Sequence, residues 1–439
     1  MPKPPPSPVP QTRLGRLARL GVAAGELAVS AAAEGLKQIA HGKAPNPALL
    51  LSGASAQRLA ARLARLRGAA MKLGQMLSLQ GEEVLPPEFA QALAVLRAQA
   101  APMPVEQLKR VMGREYGKGW EKRFRQFEWE PIAAASIGQV HRATARDGRD
   151  LALKIQYPGV ARSIASDVDN VAVLLRLFNL LPLHIEVSAI VEEAKRQLIQ
   201  EADYEAESRY LESYAKLVMD EPRLVLPRVH WDLTTTRIMA MDHMEGEPLE
   251  SLRGESQRIR DSIGTLLERL MFRELFEFRV MQTDPNFANY LYQRETGRVV
   301  LLDFGATRHF DDDFVASYAR ITRAIIGDDR ARAAREAVRI GYLDADDAPD
   351  RVKAALDMIF LVCEPLRHKG PYDFPASDLP ARVRDRGYDL AIHHGLVRAP
   401  PPQTIFLHRK LVGSFLLLKR IGARVDARAL VLECLKKTR

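Results

Sequence analysis

The feature that most constrains this chain is a short apolar segment that ends in an acidic residue. Val299-Val-Leu-Leu302 has the composition of a buried strand, and Asp303-Phe-Gly305 follows it directly. Upstream, Asp284 and Asn289 stand five positions apart. Carboxylate and amide oxygens are the ligands that Mg²⁺ prefers. The pattern therefore predicts that Asn289 and Asp303 bind a metal ion and that Asp284 is a catalytic residue beside it.

The spacing of these residues matches two motifs of protein kinases. Their catalytic loop contains Asp-x-x-x-x-Asn, and their metal-binding segment is Asp-Phe-Gly. Two departures accompany the match: Gln282-Thr283 stands where His-Arg is usual, and no Ala-Pro-Glu follows Asp303. The residues with which ordinary kinases bind a protein substrate are therefore missing or replaced. This favours phosphoryl transfer to water or to a small molecule.

Two further motifs lie upstream, in the order that a kinase requires. Ala133-Ala-Ala-Ser-Ile-Gly-Gln-Val140 keeps the register of the Gly-x-Gly-x-x-Gly-x-Val nucleotide loop, with alanine at the first two glycine positions. Lys154 ends the apolar segment Leu151-Ala-Leu, and a half-buried lysine needs an anionic partner. We predict that Lys154 is catalytic and contacts ATP. The other residues predicted to bind ATP are Ala133, Ala135, Ser136, Gly138, Val140 and Glu207.

The partner of Lys154 is expected to be a glutamate on a helix. The acidic run Glu201-Ala-Asp-Tyr-Glu-Ala-Glu207 supplies the candidates. Glu201 and Glu205 share a helical face because they are four residues apart, so periodicity alone leaves the choice open. Glu207 is the first candidate.

Composition limits the classes of partner. The net charge of +9 favours anionic partners such as nucleotides and acidic membranes. Nucleic acid is not expected, because the arginines are spread along helices without interleaved aromatic residues. Cys363 and Cys434 form no Cys-x-x-Cys pair, which argues against a disulfide framework or a zinc site and favours a reducing compartment.

The pattern along the chain predicts an α+β fold. Strands are expected at 138–145 and 150–156, joined by a turn at Asp147-Gly148, and a long helical pattern covers 163–215 with a break near Leu181-Pro182. The predicted parts are a disordered Pro-rich start at 1–12, an amphipathic helix at 13–45, a helical extension at 46–129, an N-lobe at 130–245 and a C-lobe at 246–439.

The helix at 13–45 has two interpretations. Gly21 and Gly25 form a Gly-x-x-x-Gly pair that suits close helix packing in lipid, and an ordinary amphipathic helix explains the same small residues. Glu26 lies inside the helix, so peripheral attachment to a membrane is expected rather than insertion.

Taken together, these motifs resemble the UbiB/ADCK family of atypical kinase-like proteins, and above all its coenzyme Q branch. The similarity runs from about Arg13 to Leu407-His-Arg-Lys410. The residues that carry it are Lys72-Leu-Gly-Gln75, Pro131-Ile-Ala-Ala-Ala-Ser-Ile-Gly-Gln-Val-His141, Lys154-Ile-Gln-Tyr-Pro-Gly159, Glu201-Ala-Asp203, Gln282-Thr-Asp-Pro-Asn286 and Leu302-Asp-Phe-Gly-Ala-Thr307.

The resemblance implies a protein-kinase-like two-lobed fold with an N-terminal helical extension. It implies that Lys72 and Gln75 occlude the pocket and contact Glu201 and Asp203. It also implies an ATPase with ATP and Mg²⁺ as cofactors, which supports ubiquinone biosynthesis at a membrane surface. The expected partners are acidic lipids, quinone-biosynthesis enzymes and lipid-like phenolic intermediates.

Two other functions stay open at this point. One is a small-molecule or lipid kinase that uses Asp284 as its base, and the other is a nucleotide-binding pseudokinase scaffold for lipid-biosynthetic enzymes. A homodimer is a further alternative. Because the Pro-rich start is unlike a mitochondrial transit peptide, the expected location is the bacterial cytoplasm, peripherally associated with the inner membrane.

Overall fold

The computed structural model describes residues 102–135, 137–177, 187–394 and 401–437. The predicted Pro-rich start, the amphipathic helix, most of the helical extension and the residues Lys72, Gln75 and Ser136 lie outside this range. The chain divides into two compact units. The first comprises the described residues up to Glu212 together with Pro227–Met244, and the second comprises Ser213–Leu226 and the chain from Glu245 onward.

The first unit is built on an antiparallel sheet of five strands. The strand order is β1-β3-β4-β6, and β2 pairs with β3. Its elements are α1 (Val105–Tyr116), β1 (Phe124–Phe127), β2 (Ala133–Ala134), β3 (Gly138–Ala145), β4 (Asp150–Gln156), α2 (Val160–Leu177), α3 (Val187–Glu201), the start of α4 (Tyr204–Leu217) and β6 (Ile238–Asp242).

The hairpin of β3 and β4 forms the centre of this sheet. Gly148 has φ of +93° at its turn and donates its N–H to the carbonyl of Ala145 at 3.0 Å, so the predicted strands and turn are confirmed. On β4, Leu151 and Leu153 are fully buried against a cluster that includes Leu108 of α1. Burial of each such side chain contributes about 1.5–3 kcal/mol, and it fixes the register of the strand.

The helical region after β4 has one more break than the sequence predicted. Helix α3 ends at Glu201, and α4 starts at Tyr204. Asp203 causes this second break, because its Oδ1 accepts a hydrogen bond of 3.0 Å from the Ala206 N–H. An aspartate that satisfies an N–H in the first turn is a strong helix N-cap, so the chain starts a new helix here.

The second unit is mainly helical. Its described strands form one four-stranded sheet of order β5-β10-β9-β7 and the pairs β8–β11 and β12–β13. The strands are β5 (Leu224–Val225), β7 (Glu247–Pro248), β8 (Val280–Gln282), β9 (Tyr290–Gln293), β10 (Arg298–Leu301), β11 (Thr307–His309), β12 (Tyr372–Asp373) and β13 (Arg424–Val425). The helices are α5 (Gln257–Arg273), α6 (Asp312–Ile326), α7 (Arg330–Ile340), α8 (Pro349–Val362), α9 (Glu364–Arg367), α10 (Leu379–His394), α11 (Pro402–Ile421) and α12 (Ala427–Lys437).

A π-helical turn joins α5 to β8. It covers Glu274–Phe278 and ends at Arg279, whose φ of 55° is left-handed. Such turns displace one residue from regular helical spacing and are frequent at functional sites. Here the turn directs the chain into β8, whose Gln282 lies two residues before Asp284. Among the described helices of the chain, none is long and apolar enough to cross a membrane.

Candidate functional site

In the first unit, Lys154 and Glu207 form a buried ion pair. Lys154 Nζ lies 2.7 and 2.9 Å from the two Glu207 carboxylate oxygens, and the side chains are 10% and 2% exposed. The ammonium group also lies 5.1 Å from the centre of the Tyr204 ring. Both oxygens of Glu207 therefore hold one cation. This geometry fixes the orientation of Lys154, which is a residue of β4.

Gly138 begins β3 at a point where no other side chain fits. A Cβ there would lie 2.4 Å from the Ile155 carbonyl oxygen and 2.8 Å from the Tyr204 hydroxyl. Its φ is not left-handed, so the requirement is for space rather than for backbone freedom. The glycine lets the hairpin of β2 and β3 lie close to β4 and to the start of α4.

The alanines of the predicted nucleotide loop form that hairpin. Ala133 pairs with Val140, and Ala135 donates its N–H to the Gly138 carbonyl at 3.0 Å. Ala133 is exposed, and Ala135 and Val140 are half-buried. Main-chain groups and small side chains thus form this surface, which permits close approach of a phosphate-bearing ligand.

Two residues beside the loop hold the sheet together. Gln139 Oε1 accepts a hydrogen bond of 2.7 Å from the Met103 N–H, and its Nε2 lies 2.6 Å from His141 Nε2. The other ring nitrogen of His141 lies 2.7 Å from the Glu128 carbonyl oxygen. Burial lowers the pKa of His141, so the ring is neutral and serves as a structural link.

The acidic pair Glu201 and Asp203 lies at the junction of α3 and α4. Both residues are half-buried, and Asp203 caps α4 as described above. Their predicted contacts with Lys72 and Gln75 involve residues outside the described part of the chain. The role of these four residues in occluding a pocket stays a prediction.

In the second unit, Asp284, Asn289 and Asp303 lie around one cavity or beside it. Asn289 Nδ2 donates to the Asp284 carbonyl at 3.3 Å and lies 3.5 Å from Asp284 Oδ2. Asp303 Oδ1 accepts a hydrogen bond of 3.0 Å from the Gly305 N–H. Asn289 and Asp303 both line the cavity, together with Gln282 and Lys410.

Main-chain ties hold these residues in register. The Leu302 N–H donates to the Asn289 carbonyl at 3.0 Å, which places Asn289 beside the residue that precedes Asp303. On the other side, the Thr283 N–H and hydroxyl both donate to the Ala306 carbonyl, at 3.1 and 2.7 Å. The β8–β11 ladder, which pairs Gln282 with Thr307, continues this link. These ties bring Asp284 and Asn289, which are five residues apart, together with Asp303, which follows the end of β10.

Helix α11 brings two basic residues to this constellation that the sequence analysis did not assign. Arg409 Nη2 donates to Asp284 Oδ1, and Lys410 Nζ lies 3.1 Å from a carboxylate oxygen of Glu274. Glu274 is fully buried, and its other oxygen accepts hydrogen bonds from Tyr214 and from the Gln282 N–H, at 2.8 and 2.9 Å. The available signal was an adjacent Arg-Lys pair in the middle of a helix whose other adjacent basic pair, Lys419 and Arg420, lies in its last turn.

The charge of Lys410 is maintained by its surroundings. Burial is the largest single effect and would lower the pKa of this amine, but the Glu274 carboxylate and the Tyr290 hydroxyl together outweigh burial and raise the pKa above its usual value. The preceding residue, His408, behaves differently: burial lowers its pKa to about 4, and its Nε2 lies 2.6 Å from the Tyr342 hydroxyl. The three consecutive basic residues of α11 therefore have three separate partners.

The donor set fits a magnesium ion. Asn289 and Asp303 contribute an amide and a carboxylate to one cavity, which are the hard oxygen donors that Mg²⁺ takes. Gln282 adds a buried side-chain amide to the same cavity, with neither its oxygen nor its nitrogen hydrogen-bonded within the described residues. Phosphate oxygens and water would complete the coordination, as is usual for Mg²⁺ bound with a nucleotide.

Comparison with known proteins finds similarity to atypical kinases in each case. The sequence model of the ABC1 atypical kinase-like domain matches residues 95–337. A mitochondrial atypical kinase of Saccharomyces cerevisiae, COQ8, is 37% identical over 97% of this chain and 85% of its own length. The mitochondrial atypical kinase COQ8B of Rattus norvegicus is 38% identical over 96% of this chain and 80% of its own length.

A solved structure shares the fold. The Rv3197–erythromycin complex of Mycobacterium tuberculosis superposes with a TM-score of 0.57 at 26% identity. The match covers 84% of this chain and 93% of that protein. Together with the described mixture of helices and small sheets, it identifies a protein-kinase-like α+β fold.

The comparisons contradict the predicted location. The relatives from budding yeast, rat, Caenorhabditis elegans and Schizosaccharomyces pombe, which match nearly the whole chain, are mitochondrial proteins by name. The prediction of the bacterial cytoplasm, argued from the Pro-rich start, is therefore wrong. The Pro-rich composition of the first residues was too weak a basis for predicting the compartment of the protein.

Proposed function

This chain belongs to the ABC1 atypical kinase-like family, and from that premise we propose that it is an ATPase that supports ubiquinone biosynthesis at a membrane surface. The observation that carries the proposal is the constellation of Asp284, Asn289 and Asp303, held by main-chain hydrogen bonds on both sides. A decayed nucleotide site usually loses at least one such residue, and this site keeps all of them.

The roles that we propose follow from chemistry and position. Asn289 and Asp303 hold Mg²⁺, which neutralises charge on the β- and γ-phosphates when it is bound. Lys154, oriented by both oxygens of Glu207, contacts the phosphates of ATP. The hairpin that carries Ala133, Ala135, Gly138 and Val140 covers the nucleotide, and Ser136, outside the described residues, is proposed to contact it as well.

Water is the proposed acceptor of the phosphoryl group. In protein kinases, an arginine precedes the catalytic aspartate; here Thr283 occupies that position, and its hydroxyl is bound to the Ala306 carbonyl at 2.7 Å. Asp284 is the residue that orients the attacking water. A lipid-like phenolic compound at the same place would be phosphorylated instead, so the products distinguish the two reactions.

Association with acidic lipids is the second part of the proposal. The net charge of +9 favours an anionic surface. Lipid binding would then stimulate ATP turnover. The physiological setting would be the membrane in which ubiquinone precursors reside.

The test is Mg²⁺-dependent release of ADP and phosphate by the full chain. Wild type and Asp303→Asn are compared without lipid, with phosphatidylcholine vesicles, and with vesicles that also contain phosphatidylglycerol. We expect equal amounts of ADP and phosphate, stimulation only by the anionic vesicles, and loss of turnover in Asp303→Asn.

Two results would change the conclusion. ADP without matching phosphate, when extracted lipids or phenols are present, indicates a small-molecule kinase. Equal background signals from wild type and Asp303→Asn under all conditions contradict enzymatic activity and leave the scaffold function.

A further inference from the structure

The basic residues of α11 have no place in the proposed function, and we propose that Arg409 is the residue that positions Asp284 to orient the attacking water. This inference rests on the proposed ATPase. It adds a positioning residue from a helix that lies beyond the part of the chain matched by the ABC1 domain, at 95–337.

The contact itself is an ion pair with little access to solvent. Arg409 Nη2 donates to Asp284 Oδ1, and the two side chains are 6% and 17% exposed. A buried guanidinium requires an anion, because removing either charge leaves the other without compensation. One oxygen of Asp284 is thereby committed to Arg409.

The second oxygen of Asp284 lies on the other side of the carboxylate. Asn289 Nδ2 is 3.5 Å from Oδ2, so this oxygen faces the residue that we assign to the metal. Fixing Oδ1 from one direction sets the plane of the carboxylate and leaves Oδ2 as the acceptor for a water hydrogen. In the reaction, the water oxygen bonds to the γ-phosphorus, the bond from phosphorus to the ADP oxygen breaks, and the water proton leaves with phosphate or to solvent.

The backbone around Asp284 is held by the same helix. A Cβ on Gly413 would lie 2.0 Å from Pro285 Cβ, so α11 and the residue after Asp284 are in close contact. Lys410 binds Glu274, and Glu274 accepts the N–H of Gln282, two residues before Asp284. Helix α11 therefore contacts the loop directly at Asp284 and Pro285, and through Glu274 at Gln282. Arg409 is the residue of α11 that reaches the Asp284 carboxylate.

The test uses steady-state ATP hydrolysis by the full chain. We expect Arg409→Gln to lower kcat about tenfold or more, because a small misplacement of a catalytic group has a large effect on rate. The KM for ATP is expected to stay within about twofold, since uniform binding is not changed. Arg409→Lys, which keeps the charge, is expected to recover part of kcat.

A matched control separates positioning from stability. Arg320 forms a comparable, partly buried pair with Glu336 at 2.8 Å, between α6 and α7. Arg320→Gln is expected to lower the thermal midpoint while kcat stays at the wild-type value. If Arg320→Gln and Arg409→Gln lose kcat equally, the effect of Arg409 is structural and the inference is wrong.

The same measurement in an Asp284→Asn background decides whether Arg409 acts through Asp284. We expect Asp284→Asn and the double variant with Arg409→Gln to have the same residual kcat. A further loss in the double variant overturns the inference, and so does wild-type kcat in Arg409→Gln. An inactive wild type overturns the proposed function and with it the inference, whereas an active wild type with an unaffected Arg409→Gln refutes the inference alone.

Discussion

Substituting Gly413 by alanine is expected to disturb the catalytic loop from a position that bears no functional group. The new Cβ would start 2.0 Å from Pro285 Cβ and 2.3 Å from its Cγ, whereas ordinary contact begins at 3.4 Å. Helix and loop must therefore separate by about 1.4 Å. The proline ring cannot rotate out of the way, so Asp284 moves with it.

The two consequences differ in size. Overpacking costs about 1–3 kcal/mol. Replacing a helical glycine by alanine returns about 1 kcal/mol of helix propensity. The net loss of unfolding free energy is therefore about 0–2 kcal/mol, within the range in which the protein stays folded. A displacement of about 1 Å at a catalytic group costs on the order of 100-fold in rate, so kcat should fall far more than stability.

The assay pairs ATP turnover with urea denaturation. Gly387→Ala on α10 is the control, because a Cβ there would meet only Met358 Cε, at 3.9 Å. It is expected to gain up to about 1 kcal/mol and to keep kcat. Wild-type kcat in Gly413→Ala would show that the contact with Pro285 does not determine the position of Asp284, and the reasoning would be refuted.

Three further predictions concern other parts of the two units. Lys154→Met removes the cation that both oxygens of the buried Glu207 carboxylate hold, and we expect a loss of about 3–5 kcal/mol in urea denaturation, which Glu207→Gln in the same chain partly restores. Burial raises the pKa of Glu268 to about 7 from the usual 4.5, against the opposing effects of Ser414 and Lys410. Because the folded state then binds the proton more tightly, the unfolding free energy should fall as pH rises from about 4.5 through 7, and Glu268→Gln should remove this slope. Parallel pH profiles for both proteins would contradict it. Gly138→Ala is expected to cost about 1–3 kcal/mol. It should also weaken the thermal shift produced by Mg-ATP, because its Cβ would lie 2.4 Å from the Ile155 carbonyl; an unchanged shift would mean that the hairpin does not contact ATP.

The sequence predicted the family and the fold class, and the comparisons confirm both. It did so because motifs such as Asp284-x-x-x-x-Asn289 and Asp303-Phe-Gly305 report local requirements: a strand end, a tight turn and a fixed separation. The strands at 138–145 and 150–156 were predictable for the same reason. Each segment has the composition of a strand, and a turn that contains a glycine joins them.

Features that depend on one particular side-chain contact were not predictable in this way. The break before α4 was missed because Asp203 reads equally well as one member of an acidic helical face, and only its hydrogen bond to Ala206 identifies a cap. Arg409 was missed because its partner lies 125 residues away in the sequence. An Arg-Lys pair in a helix has the same composition whether it faces solvent or a buried carboxylate.

That separation has a consequence for how the chain is made. Ribosomes add about 5–20 residues per second, so Asp284 leaves the ribosome on the order of 10 s before Arg409 does. During this interval Glu274 and Asp284 lack the cations of α11, and burying either carboxylate alone is unfavourable. The second unit therefore cannot close around Glu274 and Asp284 until α11 emerges. Its nascent chain is a natural client for chaperones, and a stop codon between Gly305 and the start of α11 at Pro402 would release a protein that has every nucleotide motif but lacks the cations of α11.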